Sequence, residues 1–322
     1  TVGSIFGTFL AGFLLIPWIG TENILFLISG LLLFISASLY FSFRKSRATS
    51  VMSIIFLIFL GGLSYLYNTA EWKIISVDTR YNRVQIFDTE YWITGEDIKV
   101  MRVNNEYSSA AYPDRDDLVY EYLQYFRLAE HFKPDFKKAL LFGGAAYSYP
   151  IWYLNHYPEK RIDVVEIDPG LTKLAKEHFG LKDDPRLRIF HEDARTFLNN
   201  KKEQYDVIFG DAYKSLLAIP FQLTTVEAAQ RKYDMLVDDG LLIENIIGSM
   251  EGQSSKFLKA ELHTLSKIFP QVLLFACHDP NDPDLLQSIS IVAFKSDKIP
   301  SLINNDPSLH AFLNTLISVD IP

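Results

Sequence analysis

From residue 138 to residue 294 the chain repeats one rhythm: a short apolar run, then a stretch with helical spacing. The runs fall at 139–142, 162–167, 187–190, 205–209, 241–247, 272–276 and 289–294. Strands apolar on both faces must be covered on both, and helices between successive strands supply that cover. The rhythm therefore predicts an α/β fold built on a mostly parallel sheet.

Upstream the pattern differs. Residues 72–103 alternate and are rich in β-branched and aromatic side chains, which predicts a small antiparallel β unit. Residues 117–131 have helical spacing, with Leu118, Tyr122, Phe126 and Leu128 on or near one face. Thr224 and Glu227 fit a capping box opening a helix that runs to Met235.

The first 67 residues stand apart. Their charges are Glu22, Arg44, Lys45 and Arg47, so they carry +2 of the chain's net −8 and leave −10 to the rest. Residues 2–19, 24–43 and 51–67 are apolar runs long enough, or nearly so, to cross roughly 30 Å of hydrocarbon. Gly3, Gly7 and Ala11 share one helix face, a spacing that lets helices pack closely in lipid. The expectation is about three transmembrane helices ending a longer membrane region, membrane lipid as a partner and a multi-pass inner- or plasma-membrane location. The globular domain is expected on the cytoplasmic side, although the basic loop at 44–47 followed by one more crossing argues for the other side. The expected domains are 1–67 (transmembrane), 70–115 (small β), 116–300 (α/β) and 301–322 (tail).

Composition excludes some classes. An acidic globular part does not suit non-specific nucleic-acid binding, which needs clustered Lys and Arg. The single cysteine, Cys277, leaves no internal disulfide framework and no Cys-rich zinc site. No histidine pair has zinc-ligand spacing, and no metal is expected.

Four strand ends carry the chemistry. Residues 140–146 run from a strand into the small-residue turn Gly143-Gly144-Ala145-Ala146, where backbone can approach a ligand closely. Glu166 and Asp168 end the next strand, Glu166 lying 22 residues beyond Gly144, the distance at which an acid can meet ribose hydroxyls. Asp193, followed by Ala194, ends the third strand and Asp211 the fourth. Ligands of open α/β sheets bind at the carboxyl ends of strands. The constellation predicts an adenine-and-ribose site, and no Gly-Lys-Ser/Thr follows any strand to make an NTPase P-loop.

Together with the stretches 117–122, 193–198, 205–208 and 219–227, these motifs resemble the spermidine synthase (polyamine aminopropyltransferase) family, on a Rossmann-like, methyltransferase-like fold. The nearer likeness is to its membrane-fused branch. The resemblance spans about residues 70–295. It implies decarboxylated S-adenosylmethionine, or S-adenosylmethionine, as co-substrate and a small polyamine as acceptor. It implies Gly143 and Gly144 against the nucleoside, Glu166 on the ribose, Asp193 on the adenine amino group, and Tyr120 and Glu121 lining the polyamine side. Asp211 is the candidate catalytic residue. A homodimer is compatible with this reading.

The sequence departs from the family at two positions. Ala146 stands where family members carry an Asp for the donor's amine, and Lys214 stands where they carry the Asp that helps deprotonate the attacking amine. A Lys there would repel a cationic polyamine and could not act as base while protonated. Two alternatives follow: a methyltransferase using S-adenosylmethionine, and a non-catalytic nucleoside- or polyamine-binding module coupled to a transporter-like membrane domain. An NAD-dependent dehydrogenase is disfavoured by the absent three-glycine fingerprint.

Overall fold

A computed structural model describes residues 2–43, 55, 58–59, 61–62, 74–200, 202–213 and 219–319. The chain divides into two compact units, Thr1–Phe87 and Asp88–Pro322.

The first unit corrects the membrane expectation. Among the described residues no helix is long and apolar enough to cross a membrane. That finding overturns the expected transmembrane helices and multi-pass membrane location. The first apolar run is not one uniform helix. It breaks into α1 (Val2–Leu10), a π-helical turn at Ala11–Leu15 and α2 (Ile16–Ile19), which ends at Gly20 with φ 83°. The second run forms α3 (Thr21–Phe43), which opens on the polar Thr21, Glu22 and Asn23. The Thr21 amide and hydroxyl both donate to Asp78 at 2.6 Å, tying the start of α3 to a strand end. Nearly all of the third run, and the basic residues Arg44, Lys45 and Arg47, lie outside the described residues. Strands β1 (Ile75–Asp78) and β2 (Arg83–Glu90) pair antiparallel.

In the second unit β3 (Asp97–Val103) and β4 (Glu106–Ala111) form an antiparallel hairpin. The stretch read as one helix at 117–131 is three pieces: α4 (Glu121–Gln124), a 3₁₀ turn at Tyr125–Arg127, and α5 (Leu128–Phe132). There follow β5 (Lys138–Phe142), α6 (Ser148–His156), β6 (Arg161–Val165), α7 (Pro169–His178), β7 (Leu187–Phe190) and α8 (Ala194–Asn200). Then come β8 (Tyr205–Gly210), α9 (Val226–Asp234), β9 (Leu236–Gly248), α10 (Ser255–Ser266), β10 (Gln271–Ala276) and β11 (Gln287–Phe294). Helix α11 (Pro307–Leu313) and β12 (Leu316–Ile317) end the described chain. Thr225, one residue beyond the expected Thr224, caps α9 by accepting from the Ala228 amide.

Among the described residues eight strands form one sheet, in the order β12-β10-β11-β9-β8-β5-β6-β7. Strands β9, β8, β5, β6 and β7 run parallel, while β11, β10 and β12 join antiparallel. The chain leaves β5 in one direction through β6 and β7, then returns to lay β8 on its other side. The order therefore reverses between β5 and β8, and the crevice at such a reversal is where open α/β sheets hold ligands.

Both faces of the sheet are filled, as the continuous apolar runs require. Ala139 and Leu141 of β5 join Val207 and Phe209 of β8 in one core with Phe126, Tyr149 and Tyr153. Leu140 and Phe142, with Tyr205 and Ile208, join the other core with Phe197, Leu223 and Leu258. The second face also buries an ion pair, Lys232 with Glu244, at 2.5 Å. The neighbouring Glu261 is pushed up to about 8 by its burial and by the charge of Glu244. Replacing Lys232 by Met should destabilise the protein by about 3–5 kcal/mol, because a buried carboxylate is left uncompensated. Converting Lys232 and Glu244 together to apolar residues should recover most of that loss. Urea denaturation of the single and double variants checks both.

Candidate active site

The site begins where β5 ends. Gly143 has φ 92°, and a Cβ there would lie 2.5 Å from the Asp211 carbonyl oxygen. A Cβ on Gly144 would lie 2.7 Å from the Tyr147 ring. The small residues are thus required by two close approaches, before any ligand is considered. Ala145 and Tyr147 also take positive φ, 44° and 60°, so the turn carries backbone strain at two positions.

Glu166 holds this turn together. Its side chain is buried, and one carboxylate oxygen accepts from the Gly144 amide at 2.9 Å and the Ala145 amide at 3.1 Å. The other accepts from the Asp168 amide at 2.9 Å. Burial pushes the Glu166 carboxyl up, and these three amides pull it back. Asp168 is fully buried and caps α7, accepting from the Gly170 amide at 2.9 Å. Asp193 does the same for α8, accepting from the Thr196 amide at 3.0 Å, with Gln222 at 3.5 Å on its other oxygen. Ala194 is the first residue of α8 and is half-buried.

Asp211 follows β8 and lies directly beside Gly143. Its backbone amide donates to the Phe142 carbonyl at 3.0 Å. Its carboxyl accepts from the Tyr122 hydroxyl at 2.9 Å and from the Asn245 amide at 3.3 Å. Burial pushes this carboxyl up to about 7, against the pull of those two hydrogen bonds. Tyr213 closes the wall, its hydroxyl donating to the Asn245 carbonyl and accepting from the Ile247 amide.

The side of the site beyond Tyr122 is aromatic. Tyr120 stacks with Tyr122, rings 6.3 Å apart and 20° from parallel, and Tyr91 lies 6.4 Å beyond. The Tyr120 hydroxyl is buried and has no hydrogen-bond partner among the described residues. Glu121 is exposed and stands 3.4 Å from His278. Ala146 is fully buried, its amide donating to Ser109 at 3.2 Å. Lys214 lies outside the described residues.

The fold therefore brings Gly143, Gly144, Glu166 and Asp211 into direct contact, with Tyr120 one ring removed. Asp168 and Asp193 appear as helix caps at the neighbouring strand ends, and Glu121 sits at an exposed edge. Sequence reasoning singled out neither Tyr122 nor Asn245 as a site residue, although both touch the Asp211 carboxyl. A signal existed for Asn245, an amide in the middle of an apolar strand. Tyr122 stands in the sequence both on a helix face and in the family-like stretch 117–122, where the resemblance assigns roles to Tyr120 and Glu121 but none to Tyr122. Tyr147 was also missed: its hydroxyl meets Thr172 at 2.7 Å, and Thr172 meets His191 at 3.0 Å. Among the described residues no group of three or more His, Cys, Asp or Glu side chains could hold a metal ion.

A mostly parallel sheet with a glycine turn and acids at its switch point defines a Rossmann-like fold. The spermine/spermidine synthase domain family matches residues 121–299, and the chain belongs to that family. A polyamine aminopropyltransferase of Streptococcus pneumoniae is 31% identical over 183 residues, 53% of this chain and 61% of that protein. The chain thus spans about three fifths of the length of that relative. Among solved structures, a probable spermidine synthase from Corynebacterium glutamicum has a TM-score of 0.62 at 23% identity, covering 77% of this chain and 88% of the other. A spermidine synthase in complex with the transition state analogue AdoDATO has a TM-score of 0.57 at 19% identity, covering 74% and 85%. These structures share the fold.

Substitution of Gly143 by Ala should lower stability by roughly 2–4 kcal/mol, since it adds a positive-φ penalty to a backbone clash. Ala at Gly180, also at positive φ (76°) but with open space around it, should cost about 1 kcal/mol. Thermal denaturation of the two variants separates the clash from the conformational penalty.

Proposed function

We propose that the chain transfers an aminopropyl group from decarboxylated S-adenosylmethionine to a small amine. The observation that carries this reading is the Asp211 carboxyl, buried at the switch point beside the glycine turn and pushed up to about 7. Family membership supports the reaction class.

The attacking amine must be neutral, because a protonated nitrogen has no lone pair to offer. Its lone pair forms a C–N bond to the aminopropyl carbon next to the sulfonium. The C–S bond breaks, its electrons return to sulfur, and methylthioadenosine leaves. The proton lost from nitrogen passes to Asp211. A base near 7 is matched to that task at neutral pH. Tyr122 and Asn245 keep the carboxylate aimed while leaving acceptor capacity free. Glu166 uses three of about four carboxylate lone-pair positions on backbone amides, leaving room for one ribose hydroxyl. Asp193 would meet the adenine amino group, and Tyr120 would give the acceptor's methylenes an aromatic surface. In this reading Asp211 does the work that an acid at Lys214 does elsewhere in the family.

Purified protein given putrescine and the decarboxylated donor should release methylthioadenosine and spermidine. Asp211→Asn should lower kcat by about 10²–10⁴ while donor affinity changes only a few-fold. An unchanged kcat in that variant removes Asp211 from the mechanism. The lack of an acid at Ala146 favours one other reading, in which the donor keeps its carboxylate and the reaction is methyl transfer. Tighter calorimetric binding of S-adenosylmethionine than of the decarboxylated donor would establish that reading instead.

The pH dependence has a defined sign. The folded Asp211 carboxyl titrates near 7, above its ordinary value of 3.8, so the folded state holds the proton longer. Its contribution to stability is present below the ordinary value and is lost as pH rises toward 7. Activity should rise over that upper range as the base ionises. Asp211→Asn should therefore stabilise the protein more at pH 8 than at pH 5, with denaturation midpoints at the two pH values as the measurement.

A further inference from the structure

Three side chains that the reaction does not use form one hydrogen-bonded chain. The Tyr147 hydroxyl meets the Thr172 hydroxyl at 2.7 Å, and the Thr172 hydroxyl meets His191 Nε2 at 3.0 Å. Each residue comes from a different strand end. Tyr147 lies in the turn after β5, Thr172 in the first turn of α7 after β6, and His191 directly after β7. The same three connections carry Gly144, Glu166 and Asp193. Glu166 ties the first connection to the second, through the Gly144, Ala145 and Asp168 amides. The Thr172–His191 bond ties the second to the third.

Tyr147 is held in a conformation that needs support. It takes φ 60°, a region that a bulky side chain enters only at a cost. Its ring is fully buried and lies against Gly144, where a Cβ would meet it at 2.7 Å. The ring thus backs the residue whose amide donates to Glu166. Packed interiors leave little slack, so a shift of the ring moves the turn.

One order of donors satisfies the chain. Tyr147 donates to Thr172, and Thr172 donates to His191 Nε2. In the reverse order the buried Tyr147 hydrogen is left without an acceptor, which is costly. His191 therefore has to present an acceptor at Nε2. It is exposed, whereas Tyr147 and Thr172 are buried, so replacing it disturbs little core packing.

We propose that the Tyr147–Thr172–His191 chain holds the glycine turn in register with the strand ends carrying Glu166 and Asp193, and that His191 and Tyr147 are positioning residues for an adenosyl donor. The inference rests on the reading that the crevice takes such a donor. The chain acts through the turn, so its loss weakens donor binding while Asp211 keeps its partners Tyr122 and Asn245.

The test compares the full chain with Thr172→Val, His191→Gln and His191→Asn. Val keeps the shape of Thr without its hydroxyl. Gln offers an acceptor near the place of Nε2, and Asn is too short to reach it. Hydrogen exchange of residues 143–147, followed by mass spectrometry without ligand, should quicken about fivefold in Thr172→Val and His191→Asn, as for one lost hydrogen bond, and return toward the parent in His191→Gln. The dissociation constant of methylthioadenosine, from calorimetry, should rise by about the same factor in the same two variants and recover in His191→Gln. Mere structural damage at position 191 would not distinguish Gln from Asn. Parent-like exchange in Thr172→Val, methylthioadenosine affinity unchanged in both weakened variants, or equal losses in His191→Gln and His191→Asn would each overturn the proposal. A parent that binds no methylthioadenosine defeats the reading of the crevice and the donor role with it. Parent-like exchange in Thr172→Val defeats this proposal alone, so the two failures are told apart.

Discussion

The Asp211 carbonyl oxygen occupies the space where Gly143 would carry a side chain. That contact lets the ends of β5 and β8 close against each other at the reversal of strand order. Gly143 donates to the Val165 carbonyl and Asp211 donates to the Phe142 carbonyl, so the three strand ends are stitched in one row. The contact fixes where the turn after β5 goes, which brings Gly144 and Ala145 onto Glu166. It also drives the Asp211 side chain into a buried position, where desolvation raises its proton affinity. One steric requirement at a glycine thus sets both the shape of the crevice and the chemistry of its acid.

Three of the buried acids are handled differently. Glu166 is held by backbone amides at a strained turn and acts as a structural anchor whatever it binds. Glu244 is matched by Lys232 and sits behind Gly210, away from the crevice. Among the described residues the Asp211 carboxyl meets a tyrosine hydroxyl and a side-chain amide, neither of them charged. Burial raises its proton affinity, and burial does the same to Glu261 beside Glu244, so what sets Asp211 apart is its place at the reversal of strand order beside the glycine turn.

Much of the fold was legible because sheets covered on both faces leave a plain mark: apolar runs at strand spacing with acids at their ends. The strands at 139–142, 162–167, 187–190 and 205–209 appear within a residue or two of their expected places. Smaller features slipped. The helix at 117–131 broke at Tyr125–Arg127, where packing of Phe126 against Tyr149 and Phe209 outweighed helical periodicity. The α9 cap moved from Thr224 to Thr225. The apolar N-terminal runs differ more from expectation: their hydropathy predicts transmembrane crossings, yet the first run breaks at a π turn and ends at Gly20, and among the described residues no helix is long and apolar enough to cross.

The sequence by itself determined the class of sheet, the glycine turn and the acids at the strand tips, because these depend on local periodicity and on residue type. The family follows from the same residues. Only the tertiary structure decided which acids serve as caps, which anchors the turn and which is buried at the reversal of strand order. Those roles depend on burial and on partners far away in sequence: Tyr122 reaches Asp211 across 89 residues and Asn245 across 34.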